Sequence, residues 1–210
     1  MATDISTKTA LITGASSGIG LAITRSLLAR QCRVIAIARD FSKLDPDLDS
    51  GGDRLETHSQ DLVDLEQTGK LIQTLSRQHS IDYFIHSAGS GLFGSIEQFS
   101  VAQIDQFIKA NLTSALVISH HLVPPMRQRK HGRIIFIGSE SALRAGRKGA
   151  LYSSAKFGLR GLAQSLRQEC AASGVRASII NPGMVSTAFF DSLDFRPGDE
   201  PANYVLPEDV

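Results

Sequence analysis

The sequence predicts an α/β domain built on a doubly wound parallel sheet, and three observations carry that prediction. Short apolar runs recur along the chain, with helical stretches between them. These runs are continuous rather than alternating, as strands covered by helices on both faces are. The first run ends in a glycine-rich turn that opens straight into a helical stretch, the setting a phosphate-binding loop needs. Six strands alternating with helices over 210 residues suit one domain with a sizeable core.

Composition narrows the function classes. Hydrophobic residues make up 42% and the net charge is +1, which suits a folded protein with no strong pull toward nucleic acid or a membrane surface. The N-terminus lacks a basic region followed by a long apolar run, and no run reaches the length of a membrane span. Cys32 and Cys170 have no metal-type spacing and read as reduced thiols, with a disulfide left open; the expected setting is the cytoplasm. No repeat or low-complexity tract is present.

Thr9 to Thr13 is the first strand. TGASSGIG, from Thr13 to Gly20, follows it and leads into the helical LAITRSLLARQ. Gly14 would permit a tight turn, Gly18 a close backbone approach to a pyrophosphate, and Gly20 close packing of helix on strand. Amide groups at the new helix start would face the phosphate charge. Arg33 to Ala38 is the second strand, and Arg39 at its end suits a 2′-phosphate, whereas Asp40 beside it argues the other way. Ser42 to Gly52, with Pro46, reads as a short helix and loop, and Arg54 to Gln60 as the third strand. Asp61 stands where a base edge could be bonded, or caps the helix from Asp64 to His79.

Asp82 to His86 is the fourth strand, and the small residues Ser87, Ala88 and Gly89 after it would let the backbone pass close to a flat ligand. Val101 to Lys130 reads as one long helix, bent near Pro124 and Pro125, with Asn111 inside it. His120 and His121 are adjacent, point to different faces and make no metal pair. Arg133 to Ile137 is the fifth strand and delivers Gly138 and Ser139 to its C-terminal end, where ligands sit in open α/β sheets. Ala150 to Ser173 is a helix, Val175 to Ile180 the sixth strand, and Asn181-Pro182-Gly183 a sharp exit. The tail from Met184 to Val210 has no clear period.

Tyr152 and Lys156 stand four residues apart, one helical turn on one face. A fixed positive charge favours a phenolate, so the pair reads as a general acid/base with the lysine as tuner. Ser139 could hydrogen-bond an oxygen that gains or loses negative charge.

Together these residues resemble the short-chain dehydrogenase/reductase family, whose domain is the Rossmann fold. TGASSGIG matches its T-G-x-x-x-G-x-G loop, Tyr152 to Lys156 its Y-x-x-x-K, and Asn181-Pro182-Gly183 its P-G motif after strand six. Ser139 lies thirteen residues before Tyr152, the family's offset; Ser141 fits less well. The resemblance implies an NADP-dependent carbonyl reductase or alcohol dehydrogenase. It makes Tyr152 the proton donor, Lys156 its tuner and ribose ligand, Ser139 the holder of the substrate oxygen, and Asn111 the support of a proton relay. It also implies NADP(H) contacts, with NAD(H) second, from Gly14, Ser16, Ser17, Gly18, Ile19, Gly20, Arg39, Asp61, Leu62, Ala88, Gly89, Tyr152, Lys156, Pro182, Gly183, Val185 and Thr187. No metal is implied. A homo-oligomer, dimer or tetramer, is implied through the long central helix and the helix of Tyr152.

Three departures bear on that expectation. The family's N-N-A-G after strand four is His86-Ser87-Ala88-Gly89 here, which should loosen local hydrogen bonding. The basic residue that NADP-preferring members carry before the second loop glycine is Ser17 here, so Arg39 alone supports NADP. Family members usually continue past this length; Leu206 to Val210 resembles the start of a last helix, so that helix and a seventh strand are expected to be missing. Residues 1–210 then form one cofactor-binding domain with a substrate loop at about 184–206, in which Phe189, Phe190, Leu193 and Phe195 form an apolar lid or pack on the core. Arg144, Arg147 and Lys148 form a solvated loop or favour an anionic or carrier-linked substrate. The alternative function is a catalytically silent NADP-binding sensor or regulator.

Overall fold

A six-stranded parallel sheet forms the centre of the computed structural model, which describes every residue except 1–3, 43, 45–47, 49–51, 192 and 199. Strands β1 (Thr9–Thr13), β2 (Arg33–Ala38), β3 (Leu55–Ser59), β4 (Tyr83–His86), β5 (Gly132–Ile137) and β6 (Val175–Ile180) lie in the order β3-β2-β1-β4-β5-β6. Helices α1 (Gly18–Ala29), α2 (Leu65–Gln78), α3 (Val101–Ile108), α4 (Ser114–Gln128) and α5 (Ala150–Glu169) link them. Of the short helix expected between Ser42 and Gly52, residues 43, 45–47 and 49–51 lie outside the described residues.

The apolar runs explain the layering. In β1, Leu11 enters one core cluster while Ala10 and Ile12 enter another; in β2, Ile35 and Ile37 divide from Val34 and Ala36 in the same way. Successive side chains point to opposite faces, so a continuous run feeds both sides of the sheet. Ile72 and Leu75 of α2, Ile118 and Leu122 of α4, and Leu159 of α5 cover the first face; Leu28 of α1 covers the second. Each fully buried Leu or Ile contributes about 1.5–3 kcal/mol. Cys32 and Cys170 are buried free thiols.

The chain runs outward from β1 to β3, then returns to β4 on the other side of β1. Thr13 therefore sits in register with Ile37 on one flank and His86 on the other. The loops after β1 and β4 leave in opposite directions there, which opens a crevice at the C-terminal edge of the sheet.

The stretch expected as one long helix is divided differently. Its irregularity is a π-helical turn at Lys109–Thr113 between α3 and α4, while Pro124 and Pro125 lie inside α4. Asp64, not Asp61, caps α2: its carboxylate accepts from the Gln67 amide at 3.0 Å. The segment after β6 closes on itself through a bridge between Val185 and Val205, with Ser186 N–H donating to the Val205 carbonyl at 2.9 Å. Leu206–Val210 holds a single 3₁₀ turn, Pro207–Asp209, packed against α1. Among the described residues the sheet has six strands, with β3 and β6 outermost.

Candidate active site

The turn after β1 is shaped by its glycines. Gly14 adopts φ +69°, and a Cβ there would stand 2.8 Å from the Ala88 amide nitrogen and Cα. The loops after β1 and β4 thus touch backbone to backbone, a contact only glycine allows. Gly20 is closed in by the Gly14 carbonyl, so its missing side chain serves the turn itself. Ser17 precedes α1 without a side-chain cap bond, which leaves first-turn amides of the helix for an anion. Thr187 faces Gly18 from the tail, its Cγ2 3.2 Å from where a Cβ would be.

Across the crevice, His86 is fully buried, and its Nδ1 is hydrogen-bonded to Thr13 Oγ1 at 2.9 Å. The same hydroxyl oxygen accepts from the Ala88 amide at 3.3 Å. His86 thus ties β1 to β4 through Nδ1, while its buried Nε2 has no hydrogen-bond partner, so the expected loosening is confined to that side of the ring. Burial, with the Lys156 charge second, holds the His86 pKa down to about 3, so the ring is neutral.

Asn111 lies in the π turn and is fully buried. Its Nδ2 donates to the Phe107 carbonyl at 3.0 Å and its Oδ1 accepts from the Ser90 amide at 3.1 Å. The wider turn thereby ties the central helix to the loop after β4.

Ser139, at the end of β5, faces α5. Its amide donates to Asn181 Oδ1 at 3.3 Å, and its hydroxyl accepts from the Ser141 amide at 3.1 Å. Lys156 is buried and its Nζ donates to the Ile137 carbonyl at 3.0 Å, 5.7 Å from the centroid of the Tyr152 ring. Burial brings its pKa down to about 8. Burial pushes the Tyr152 phenol up, and a hydrogen bond with Ser139 pulls it down.

These groups line one cleft of about 460 Å³. At one end stand Gly14, Ser17, Gly18, Ile19 and Arg39; in the middle Ala88, Gly89, Ser139, Tyr152 and Lys156; and along the tail side Pro182, Gly183, Val185 and Thr187. Both carboxylate oxygens of Asp40 accept from Ser42 at 2.8 Å, while Arg39 lines the cleft. The expected contacts Ser16, Gly20, Asp61 and Leu62 do not line it. Asp61 is exposed and accepts from the Val63 amide at 3.1 Å, and the Leu62 side chain belongs to the core. Asn111 acts from behind the wall. Arg144, Arg147 and Lys148 are exposed and do not line the cleft. Among the described residues no cluster of three or more His, Cys, Asp or Glu could hold a metal, and no helix is long and apolar enough to cross a membrane.

The short chain dehydrogenase family profile matches residues 8–196. The chain belongs to the short-chain dehydrogenase family. This dehydrogenase is 32% identical over 197 residues to an uncharacterized oxidoreductase of Staphylococcus saprophyticus, covering 91% of this chain and 84% of that one. It is 31% identical over 195 residues to the 3-oxoacyl-[acyl-carrier-protein] reductase FabG of Buchnera aphidicola, covering 91% and 79%. A crystal structure of a candidate NAD(P)-dependent gluconate 5-dehydrogenase from Beutenbergia cavernae, with NADP at low occupancy, superimposes with TM-score 0.87 at 29% identity, covering 96% and 85%. A metagenomic short-chain oxidoreductase in complex with NADP gives TM-score 0.80 at 32% identity, covering 86% and 84%. The chain is an oxidoreductase.

In this short-chain dehydrogenase, sequence reasoning missed Phe93, Glu140 and Asn181 as parts of the site. Phe93 and Glu140 line the cleft, and Asn181 orients Ser139. Asn181 stood in a motif already singled out, and its amide after β6 was the available signal. Phe93 carried none, because its ring partners, Tyr152 in α5 and Phe195 in the tail, are distant along the chain.

Proposed function

We propose that this oxidoreductase binds NADP(H) in the cleft and interconverts a carbonyl compound and its alcohol. The observation that carries the reading is the convergence of Ser139, Tyr152 and Lys156 on one cleft whose other end is the glycine turn and Arg39. The cradle fits the nucleotide. The turn at Gly14 and Gly18 has no side chains to obstruct a pyrophosphate, and α1 offers uncapped amides. Arg39 offers a guanidinium to a 2′-phosphate. Pro182, Gly183, Val185 and Thr187 close the other side. NADP in the two solved relatives supports the same choice, and the ketoacyl reduction named for the Buchnera relative supports the reaction class.

When bound, the nicotinamide would supply a hydride to the carbonyl carbon. The chain's own part is the oxygen. Ser139 holds it by a hydrogen bond, and Tyr152 passes its phenolic proton to it as negative charge develops. A phenol kept protonated by burial suits a proton donor. Lys156, buried and anchored on the Ile137 carbonyl, holds positive charge beside the tyrosine and offers donors to the ribose. Asn111 fixes the loop that forms the wall, and we assign it the support of a proton path to Lys156. The buried free thiols agree with a reducing compartment, and we place the protein in the cytoplasm.

The test is Tyr152→Phe, with a carbonyl panel assayed under NADPH and NADH in parallel. Reduction should fall by about 10²–10⁴-fold while NADPH binding persists, and NADPH should be preferred. Unchanged reduction by the phenylalanine variant would sink the mechanism. Binding of NADPH with no turnover of any carbonyl by the unmodified protein would make it a silent cofactor-binding protein.

A further inference from the structure

Five aromatic rings close a circuit on the tail side of the cleft. Phe93 lies 4.8 Å from Tyr152, Tyr152 6.0 Å from Phe189, Phe189 5.2 Å from Phe190, Phe190 5.9 Å from Phe195, and Phe195 5.0 Å from Phe93, centroid to centroid. All five line the cleft. Four of these contacts are edge-on, an arrangement aromatic pairs favour, and the Phe93–Tyr152 pair is tilted. The loop carrying Phe189 to Phe195 is anchored at its base by the Val185–Val205 bridge. Gly91 gives the Phe189 ring room to lie against the loop after β4: a Cβ there would stand 2.7 Å from its Cζ.

The charges around the circuit matter as much as the rings. Among the described residues the cleft is lined by three charged side chains, Arg39, Glu140 and Lys156. Arg39 stands at the nucleotide end, and Lys156 is buried on a backbone carbonyl. The one left beside Ser139 is a carboxylate, Glu140. Arg144, Arg147 and Lys148 are exposed outside the cleft, and Arg196, next to Phe195, lines the adjoining tail pocket rather than the cleft.

We infer that the circuit is the substrate subsite, and that it takes an uncharged, apolar carbonyl compound with an aryl or branched alkyl group. The inference rests on the carbonyl-reduction reading above and names its substrate class. The reacting oxygen would lie at Ser139 and Tyr152, with the apolar group against Phe93, Phe189 and Phe195. A polyhydroxy keto acid would set its carboxylate toward Glu140 and leave hydroxyls unpaired against the rings, both unfavourable. A carrier-linked acyl group would draw on the exposed cations, and none of Arg144, Arg147, Lys148 and Arg196 lines the cleft.

The test has a kinetic arm and a binding arm. With NADPH, an aryl alkyl ketone such as acetophenone is compared with 5-ketogluconate and an acetoacetyl thioester. The ketone should exceed both in kcat/KM by about a hundredfold. Phe195→Ala and Phe93→Ala should each raise its KM about tenfold while NADPH affinity holds; Phe195 sits on the exposed tail, so its loss spares the core. In the binding arm, ligand-observed NMR follows 1-phenylethanol on the Tyr152→Phe protein with NADP⁺. Binding that Phe195→Ala weakens supports the subsite even if no carbonyl turns over, in which case the catalytic reading alone falls. Preference for the keto acid or the thioester, or aryl binding indifferent to both phenylalanine changes, overturns the subsite and leaves carbonyl reduction standing.

Discussion

His86 does its work by staying neutral. Its ring is fully buried, its Nδ1 is tied to Thr13, and its Nε2 has no hydrogen-bond partner. The ordinary value near 6.5 is brought to about 3, first by burial and then by the Lys156 charge. Between those values the unfolded chain takes up a proton that the folded chain refuses. Stability therefore rises with pH across the window and is lost as pH falls from about 6.5 toward 3, by about 1.4 kcal/mol per unit. His86→Asn keeps a polar partner for Thr13 and removes the titration. Urea midpoints at pH 7 and pH 4.5 should show the variant losing about 2–3 kcal/mol less than the unmodified protein between the two. Equal losses would show that His86 does not titrate in this way. Neither the tie nor the depressed pKa was visible in the sequence. Thr13 and His86 are distant along the chain, and only the β1–β4 register brings them together.

The π turn at Lys109–Thr113 is the element that sequence periodicity hid. Apolar spacing predicts one helix from Val101 to Lys130, and the structure divides it into α3 and α4 on either side of the turn. One turn of wider winding leaves that pattern nearly intact, so the change is felt only at Asn111, which it faces inward. π turns occur mostly as single insertions in α-helices, often at functional sites. The strands were legible because each is a short apolar run bounded by turn residues. The lining of the cleft was legible where glycine spacing or one helical turn joins its parts, as for Gly14 with Gly18 and for Tyr152 with Lys156. It was not legible where packing joins distant loops, as for Phe93 with Phe195. Asn111→Leu preserves size but deletes the bond to the Phe107 carbonyl and leaves the Ser90 amide unpaired. The urea midpoint should fall by an amount equal to about 1–3 kcal/mol. A midpoint within a few tenths of that of the unmodified protein would mean that the π turn stands without its asparagine.

At the scale of the molecule, the crevice needs its walls held, and α4 and α5 each present one large apolar side chain to the outside. Leu116 on α4 and Phe157 on α5 are 44% and 42% exposed. Gly161, one turn beyond Phe157, has open space where a Cβ would lie. Large side chains beside a small one let a second helix approach closely and bury the rest, which is how a two-fold contact between like helices is built. The same α5 presents Tyr152 and Lys156 inward, so its burial in an assembly would steady the catalytic helix from outside. We therefore expect a dimer or tetramer joined through α4 and α5, with a mass two or four times that of the chain by light scattering coupled to size exclusion. Phe157→Glu places a charge at the centre of that contact and leaves the core untouched, and it should shift the protein toward the single-chain mass. Carbonyl reduction should fall along with the mass and recover at high protein concentration. A variant that keeps the assembled mass would place the contact elsewhere on the surface.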